Sequence, residues 1–180
     1  LDHGFEVVTA PSDLPTHTER WTALLRDATL TRGLRSWDTT TCGLHVHASR
    51  APISPLTLGK ILVFMNSPLT QQPITTLAGR ASSRWATVSP KKATDALKAS
   101  GARYQAVNLQ NTDTIEFRIF KGTLKLEHVL ADIQFCHAVV SWARDVSLRD
   151  VESWQCFVSF IAKEKAYKVL YGWLQDHDLT

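Results

Sequence analysis

One run of seven residues, Gly43–Ser49, carries two histidines at alternate positions of an otherwise β-type pattern. Successive side chains of a strand point to opposite faces, so His45 and His47 are predicted to share one face and Val46 to lie on the other. Two imidazoles on one face can bind a metal ion together, or one can bind a metal and the other an anion. The alternative is a pair of half-buried histidines that bond to backbone carbonyls.

A second run, residues 114–120, places Glu116 and Arg118 on one face and the apolar side chains of Ile115 and Phe117 on the other. A carboxylate among apolar neighbours is costly unless it is paired or binds a cation. The guanidinium two residues later can bind phosphate through two nitrogens. The alternative is an ordinary Glu–Arg pair on a surface strand, which contributes little to stability. The two runs together suggest the floor of an active site.

Four further polar residues are weaker candidates. Glu6 interrupts an alternating run at residues 5–9, where an exposed position on an edge strand explains it equally well. Arg80 and Arg103 lie in or beside a loop-rich segment, where an arginine is more often a solvated cation. Asn108 ends a strand-like run, where it can serve turn formation alone.

The composition excludes several protein classes. The chain has 180 residues, 44% of them hydrophobic and 21% charged, which are globular values. Its apolar stretches are too short for a membrane span, and a net charge of +3 is too small to imply nucleic acid. An odd set of three widely spaced cysteines (Cys42, Cys136 and Cys156) argues against a disulfide framework and favours a reducing cytoplasm.

Other catalytic patterns are poorly supported. Cys42 lies near the histidine pair, but no nucleophile elbow surrounds it, so a cysteine hydrolase is disfavoured. Cys136 and His137 are adjacent on a predicted helix and point about 100° apart, so a structural zinc site is weak as well. No Gly-rich phosphate loop is present. A nucleotide would therefore have to be bound by side chains of the strands and by arginines.

The periodicity predicts an α+β domain over residues 1–180, with a sheet-bearing part at 1–124 and a helical part at 125–180. The predicted strands are residues 5–9, 43–49, 103–108 and 114–120, and the last two form a hairpin. The predicted helices are 18–34, a helix beginning at Ser54-Pro55 and limited by Pro68, one or two short helices within 68–100, and three amphipathic stripes after Gly122.

Taken in order, these segments resemble a known family. The run at 43–49 resembles the Gly-x-His-x-His-x-Ser segment of glutamine synthetases, and residues 114–120 resemble their Glu-x-Arg strand. The fuller resemblance, over roughly residues 3–126, is to the amidoligases, the branch of that superfamily related to glutamate–cysteine ligase. It is carried by HGFEVVTAP (3–11), CGLHVH (42–47), AGR (78–80), RYQAVNL (103–109) and IEFRIFKGTL (115–124).

The resemblance implies a curved antiparallel sheet, covered by helices, whose concave face holds ATP, Mg²⁺ or Mn²⁺, and an acid substrate. The acid is activated as an acyl phosphate, and an amine then attacks it to form an amide on an amino acid, a peptide or a cell-wall fragment. By position, Glu116 and Arg118 match catalytic residues. The metal-binding positions would be Glu6, His45 and Glu116, and the nucleotide-binding positions His47, Arg80, Arg103, Asn108 and Arg118.

The chain departs from the family pattern at one point. Members normally carry a Glu-x-Glu strand that supplies further metal ligands, and no two glutamates here are two residues apart. Because the sequence starts at Leu1 without an initiator methionine, we expect it to be the C-terminal part of a longer protein. An upstream segment or a second chain would then complete the site.

Two other functions remain possible from the sequence. A non-catalytic amidoligase-fold domain would keep the sheet for binding or scaffolding. A nucleic-acid-binding module would need exposed aromatic side chains, whereas most of the tryptophans lie on helical stripes that resemble core positions. We therefore expect neither a nucleic acid nor a membrane as a partner.

Overall fold

The structure, a computed structural model, describes residues 4–37, 39, 42–80 and 106–180. These residues form the predicted α+β fold, with seven α-helices and a small, open antiparallel sheet of three strands. The elements are α1 (Leu14–Arg26), α2 (Ala28–Thr31), β1 (Gly43–Ser49), α3 (Pro55–Asn66), α4 (Gln71–Ala78), β2 (Val107–Asn108), β3 (Thr114–Lys121), α5 (Leu126–Asp145), α6 (Trp154–Ile161) and α7 (Lys168–Gln175). A short 3-10 helix, Lys165–Tyr167, leads into α7.

Side-chain caps define where several helices begin. Ser54 accepts a hydrogen bond from the backbone N–H of Thr57 at 3.1 Å, which confirms the predicted start of α3. The helix predicted at 18–34 is wrong in its bounds, because Asp13 caps a helix that already begins at Leu14. Asp27 then ends α1 and caps α2 through its own carboxylate, so the predicted helix is divided in two.

The sheet has the order β1-β3-β2, and both pairs are antiparallel, which confirms the predicted hairpin of β2 and β3. Glu116 on the central strand lies opposite His47 of β1 and opposite Asn108 of β2. Of the strand predicted at 103–108, Val107–Asn108 is observed, and residues 103–105 lie outside the described residues.

One irregularity interrupts the pairing of β1 with β3. Leu44 lies opposite Phe120 and Val46 opposite Phe117, so the single residue His45 faces two residues, Arg118 and Ile119. This arrangement is a β-bulge on β3, which bends the strand and changes the direction of nearby side chains. As a result Ile119 and Phe120, although consecutive, both lie in the core.

The hydrophobic core joins the sheet to the helices. The apolar face of β3 contributes Ile115 and Phe117, and half-buried side chains of β1 pack beside them. Helix α5 contacts β1 and four other helices, α1, α3, α6 and α7. Phe64 and Phe135 are among the fully buried side chains at this junction. The cluster runs from Leu14 to Leu179, so both predicted parts of the chain contribute to it.

The strand predicted at residues 5–9 is wrong. The segment is irregular, and Phe5, Val7 and Val8 are 68%, 50% and 81% exposed. Alternation favours a strand only where a neighbouring strand bonds to its backbone, and no described strand pairs with this segment.

Candidate active site

Glu116 is the centre of a cluster of polar side chains on the sheet face opposite the core. Its Oε1 lies 3.2 Å from Nδ1 of His45 and 3.8 Å from Nε2 of His47, and it accepts a hydrogen bond from Nη1 of Arg118. Its Oε2 accepts a hydrogen bond from Nδ2 of Asn108 at 2.8 Å. Three strands therefore direct four donor-bearing side chains at one carboxylate.

The strand alternation predicted for both runs is confirmed. Along β1 the histidines lie on the exposed face, while Val46 is half-buried against the core. The side chains of His45 and His47 are 34% and 49% exposed, whereas that of Glu116 is 9% exposed. The imidazoles can therefore meet a ligand from solvent, while the carboxylate below them is shielded.

The surroundings of Glu116 favour its charged form. Burial alone would raise the pKa of this carboxyl. Hydrogen bonds from His45 and Asn108, together with the positive charge of Arg118, outweigh burial and hold the pKa at about 2. Glu116 is thus an anion throughout the physiological pH range, which is the form needed for pairing with a cation.

Arg118 is held tightly beside this anion. Its side chain is 11% exposed, and its backbone N–H donates to the carbonyl of Ala106 at 3.0 Å. Its Nε is buried and, within the described residues, has no hydrogen-bond partner. A buried donor without a partner is uncommon in folded proteins.

Arg80 lies beside the cluster but bonds to the backbone. Its Nε donates to the carbonyl of Ile119 at 2.8 Å, and its Nη2 donates to the carbonyl of Arg118 at 2.7 Å. Burial and the nearby charge of Arg118 lower the pKa of Arg80 below its ordinary value. Both nitrogens therefore hold the bulged part of β3.

His45 and Glu116 are the pair in the cluster whose side chains could bind a cation together. Their nearest atoms, Nδ1 and Oε1, are 3.2 Å apart and now share a hydrogen bond, which the imidazole would have to give up to bind a divalent ion. Within the described ranges no group of three or more His, Cys, Asp or Glu side chains forms a metal site. Further ligands would come from water, from a phosphate or from another segment.

Two predicted site residues are not placed in the cluster. Glu6 lies in the exposed irregular segment, and no hydrogen bond or ion pair joins it to the cluster in the part of the chain that the structure describes. Arg103 lies outside the described residues. The five others at the cluster itself are His45, His47, Asn108, Glu116 and Arg118.

The sequence reading missed Thr114 as a neighbour of the site. Its Oγ1 lies 3.1 Å from Nδ1 of His47, a contact that orients this imidazole. Thr114 is two residues before Glu116, so the same alternation that grouped Glu116 with Arg118 could have identified it. No comparable pattern in the sequence predicts the bulge opposite His45.

The fold and the site define an α+β protein with a charged cluster on one face of an antiparallel sheet. The model of the family described as "putative amidoligase enzyme" matches residues 69–140. This segment includes α4, β2, β3 and most of α5, and it contains Arg80, Asn108, Glu116 and Arg118 but not the histidine pair.

Over this segment, which is less than half of the chain, the protein is similar to the amidoligase family, and this similarity supports a ligase-like function in general. Neither the curated proteins nor the solved structures give a significant match. None of the described helices is long and apolar enough to cross a membrane.

Proposed function

We propose that this chain catalyses ATP-dependent formation of an amide bond between a carboxylate and an amine. The observation that carries the proposal is the convergence of His45, His47, Asn108 and Arg118 on the ionised Glu116. The family match supports a ligase of this general kind. The acid would be an amino acid, a peptide or a cell-wall fragment.

The proposed reaction has two steps. A substrate carboxylate oxygen attacks the terminal phosphorus of ATP, which forms an acyl phosphate and releases ADP. The amine nitrogen then attacks the acyl carbon, phosphate leaves, and the nitrogen loses a proton. Both steps depend on neutralising phosphate charge and on positioning the reactants.

The cluster has the groups that this chemistry needs. Arg118 carries a fixed positive charge beside Glu116, although its side chain is largely buried, and His47 is exposed enough to donate to a phosphate oxygen. His45 and Glu116 would supply two ligands to Mg²⁺ or Mn²⁺, which neutralises phosphate charge when it is bound. An upstream segment or a second chain would provide further carboxylates.

ADP formation by the full chain tests the proposal. ATP, Mg²⁺ or Mn²⁺, and pairs of candidate acids and amines would be supplied, with hydroxylamine added to trap an acyl phosphate as a hydroxamate. Glu116→Gln should reduce turnover at least 100-fold, the usual order for losing a central electrostatic group. Glu152→Gln, at an exposed turn, is the matched control and should retain turnover.

A second candidate function is a non-catalytic domain of the same fold that binds a ligand on this sheet face. It is favoured by the exposed position of Glu6 and by the small number of metal-binding side chains among the described residues. Nucleotide binding without ADP formation for any pair would support it. Absence of both binding and turnover would contradict the ligase proposal.

A further inference from the structure

The bulge in β3 lies directly beneath the candidate site. It consists of Arg118 and Ile119, which together face His45 across the sheet. In a regular antiparallel pair each backbone carbonyl that points to the neighbouring strand finds an N–H there. A bulge disrupts this pairing, so its carbonyls need other donors.

Arg80 supplies those donors from a distant part of the chain. Its two hydrogen bonds, of 2.8 Å and 2.7 Å, go to the carbonyls of the two bulge residues. In the sequence, Arg80 is 39 positions from Ile119 and 38 positions from Arg118. The planar guanidinium can make two such bonds at once, which the single ammonium of a lysine cannot reproduce with the same geometry.

Arg80 and His45 both lie next to Gly43, at the start of β1. A Cβ built on Gly43 would lie 3.6 Å from Nη2 of Arg80 and 3.5 Å from Nε2 of His45. Arg80 thus approaches the sheet at the point where His45 faces the bulge. The positive φ of +68° at Gly79 forms the left-handed C-cap of α4 immediately before Arg80.

We propose that Arg80 is a positioning residue, which holds the β3 bulge so that Arg118 and His45 both reach Glu116. The structural part of this inference stands without the proposed function, and only its consequence for catalysis rests on it. Because Nε and Nη2 already bond to the backbone, Arg80 acts through β3. A direct contact between its guanidinium and a nucleotide is not required.

Nuclear Overhauser contacts at pH 7 test this role without any assumption about activity. In the unchanged chain the side chains of His45 and Arg118 should each show contacts to the side chain of Glu116. In Arg80→Ala and in Arg80→Lys both sets of contacts should weaken or disappear, because the β3 bulge is no longer held in place. Glu116→Gln assigns the signals.

The variant Arg80→Lys distinguishes the geometry of the Arg80 guanidinium from its positive charge. If Arg80→Lys keeps these contacts while Arg80→Ala loses them, the charge of Arg80 matters and the proposed geometric role is wrong. Unchanged contacts in both variants also overturn the proposal. Arg149→Ala, at an exposed position, is the matched control, and circular dichroism establishes that every sample is folded.

Turnover gives a second, independent measurement. Misplacement of Arg118 and His45 should lower kcat about 10–100-fold in both variants, and added guanidinium should partly restore Arg80→Ala. A rise in the KM for ATP with unchanged kcat would indicate direct nucleotide contact and overturn the positioning role. If the unchanged chain forms no ADP, the ligase proposal fails, while the contacts of His45 and Arg118 with Glu116 still decide the role of Arg80.

Discussion

Two buried carboxylates of this protein have opposite electrostatic surroundings. Glu116 receives hydrogen bonds from three strands, and its pKa falls to about 2. Asp132, on α5, is completely buried, and within the described residues neither of its oxygens has a hydrogen-bond partner. Burial therefore raises the pKa of Asp132 well above its ordinary value. A carboxyl group is therefore a stable anion at Glu116, whereas burial favours the neutral acid at Asp132.

Relative to the unchanged chain, Asp132→Asn should become more stable as the pH rises. The raised pKa means that the folded state keeps a proton that the unfolded state loses above about pH 4, so the unchanged chain loses stability as the pH increases from there. Asparagine cannot ionise, so the variant should gain up to about 1.4 kcal/mol per pH unit relative to the unchanged chain.

Urea unfolding at pH 4, 6 and 8 measures this difference. Asp145→Asn, at an exposed position near the end of the same helix, controls for the loss of one negative charge. A stability difference between Asp132→Asn and the unchanged chain that stays constant with pH would show that Asp132 does not titrate as its burial requires.

At the scale of elements, the segment after β3 depends on a close approach between backbones. The N–H of Gly122 donates to the carbonyl of Cys42 at 3.3 Å. A Cβ at Gly122 would lie 2.5 Å from Oγ of Ser36 and 2.9 Å from Cβ of Cys42. Glycine at this position therefore lets the end of β3 pack against the segment that leads into β1.

Gly122→Ala should destabilise the protein by about 1–3 kcal/mol, because the added methyl group forces neighbouring atoms apart. Gly172→Ala is the matched control, since its Cβ would meet no atom within 4 Å. Within α7 this change should stabilise the protein by about 0.5–1 kcal/mol. Thermal unfolding of both variants measures the contrast, and equal shifts in Tm would contradict the packing argument.

At the scale of the whole molecule, one aromatic cluster connects α3 to the C-terminal helices. The ring of Phe64 lies 4.9 Å from that of Trp142, 5.1 Å from Phe157 and 6.5 Å from Phe135, measured between centroids. These contacts join the two parts into which the sequence was divided, 1–124 and 125–180. The single domain over 1–180 stays a prediction, and this cluster is where it can be tested.

Phe64→Ala should cost about 3–5 kcal/mol, since it removes a fully buried ring. We expect helix and sheet signals to shift together in one urea transition. Leu56→Ala, in the same helix but 54% exposed, should change stability by less than about 0.5 kcal/mol. Two separate transitions in Phe64→Ala would show that the sheet-bearing and helical parts unfold independently.

The sequence alone determined several local features of this protein. Alternation at residues 43–49 and 114–120 identified the faces of β1 and β3, and Ser54 marked the start of α3, because these signals depend on neighbouring residues. The same alternation failed at residues 5–9, where a strand also needs a partner.

The tertiary structure decided how the site is assembled. His47 and Thr114 meet across 67 residues, and Arg80 reaches Ile119 across 39. The bulge opposite His45 arises from the register between strands, which no local periodicity specifies. The low pKa of Glu116 depends in part on His45 of the distant strand β1, beside Asn108 and Arg118 of its own hairpin. Sequence identified the side chains able to do chemistry, and only the pairing of distant strands could bring them to one carboxylate.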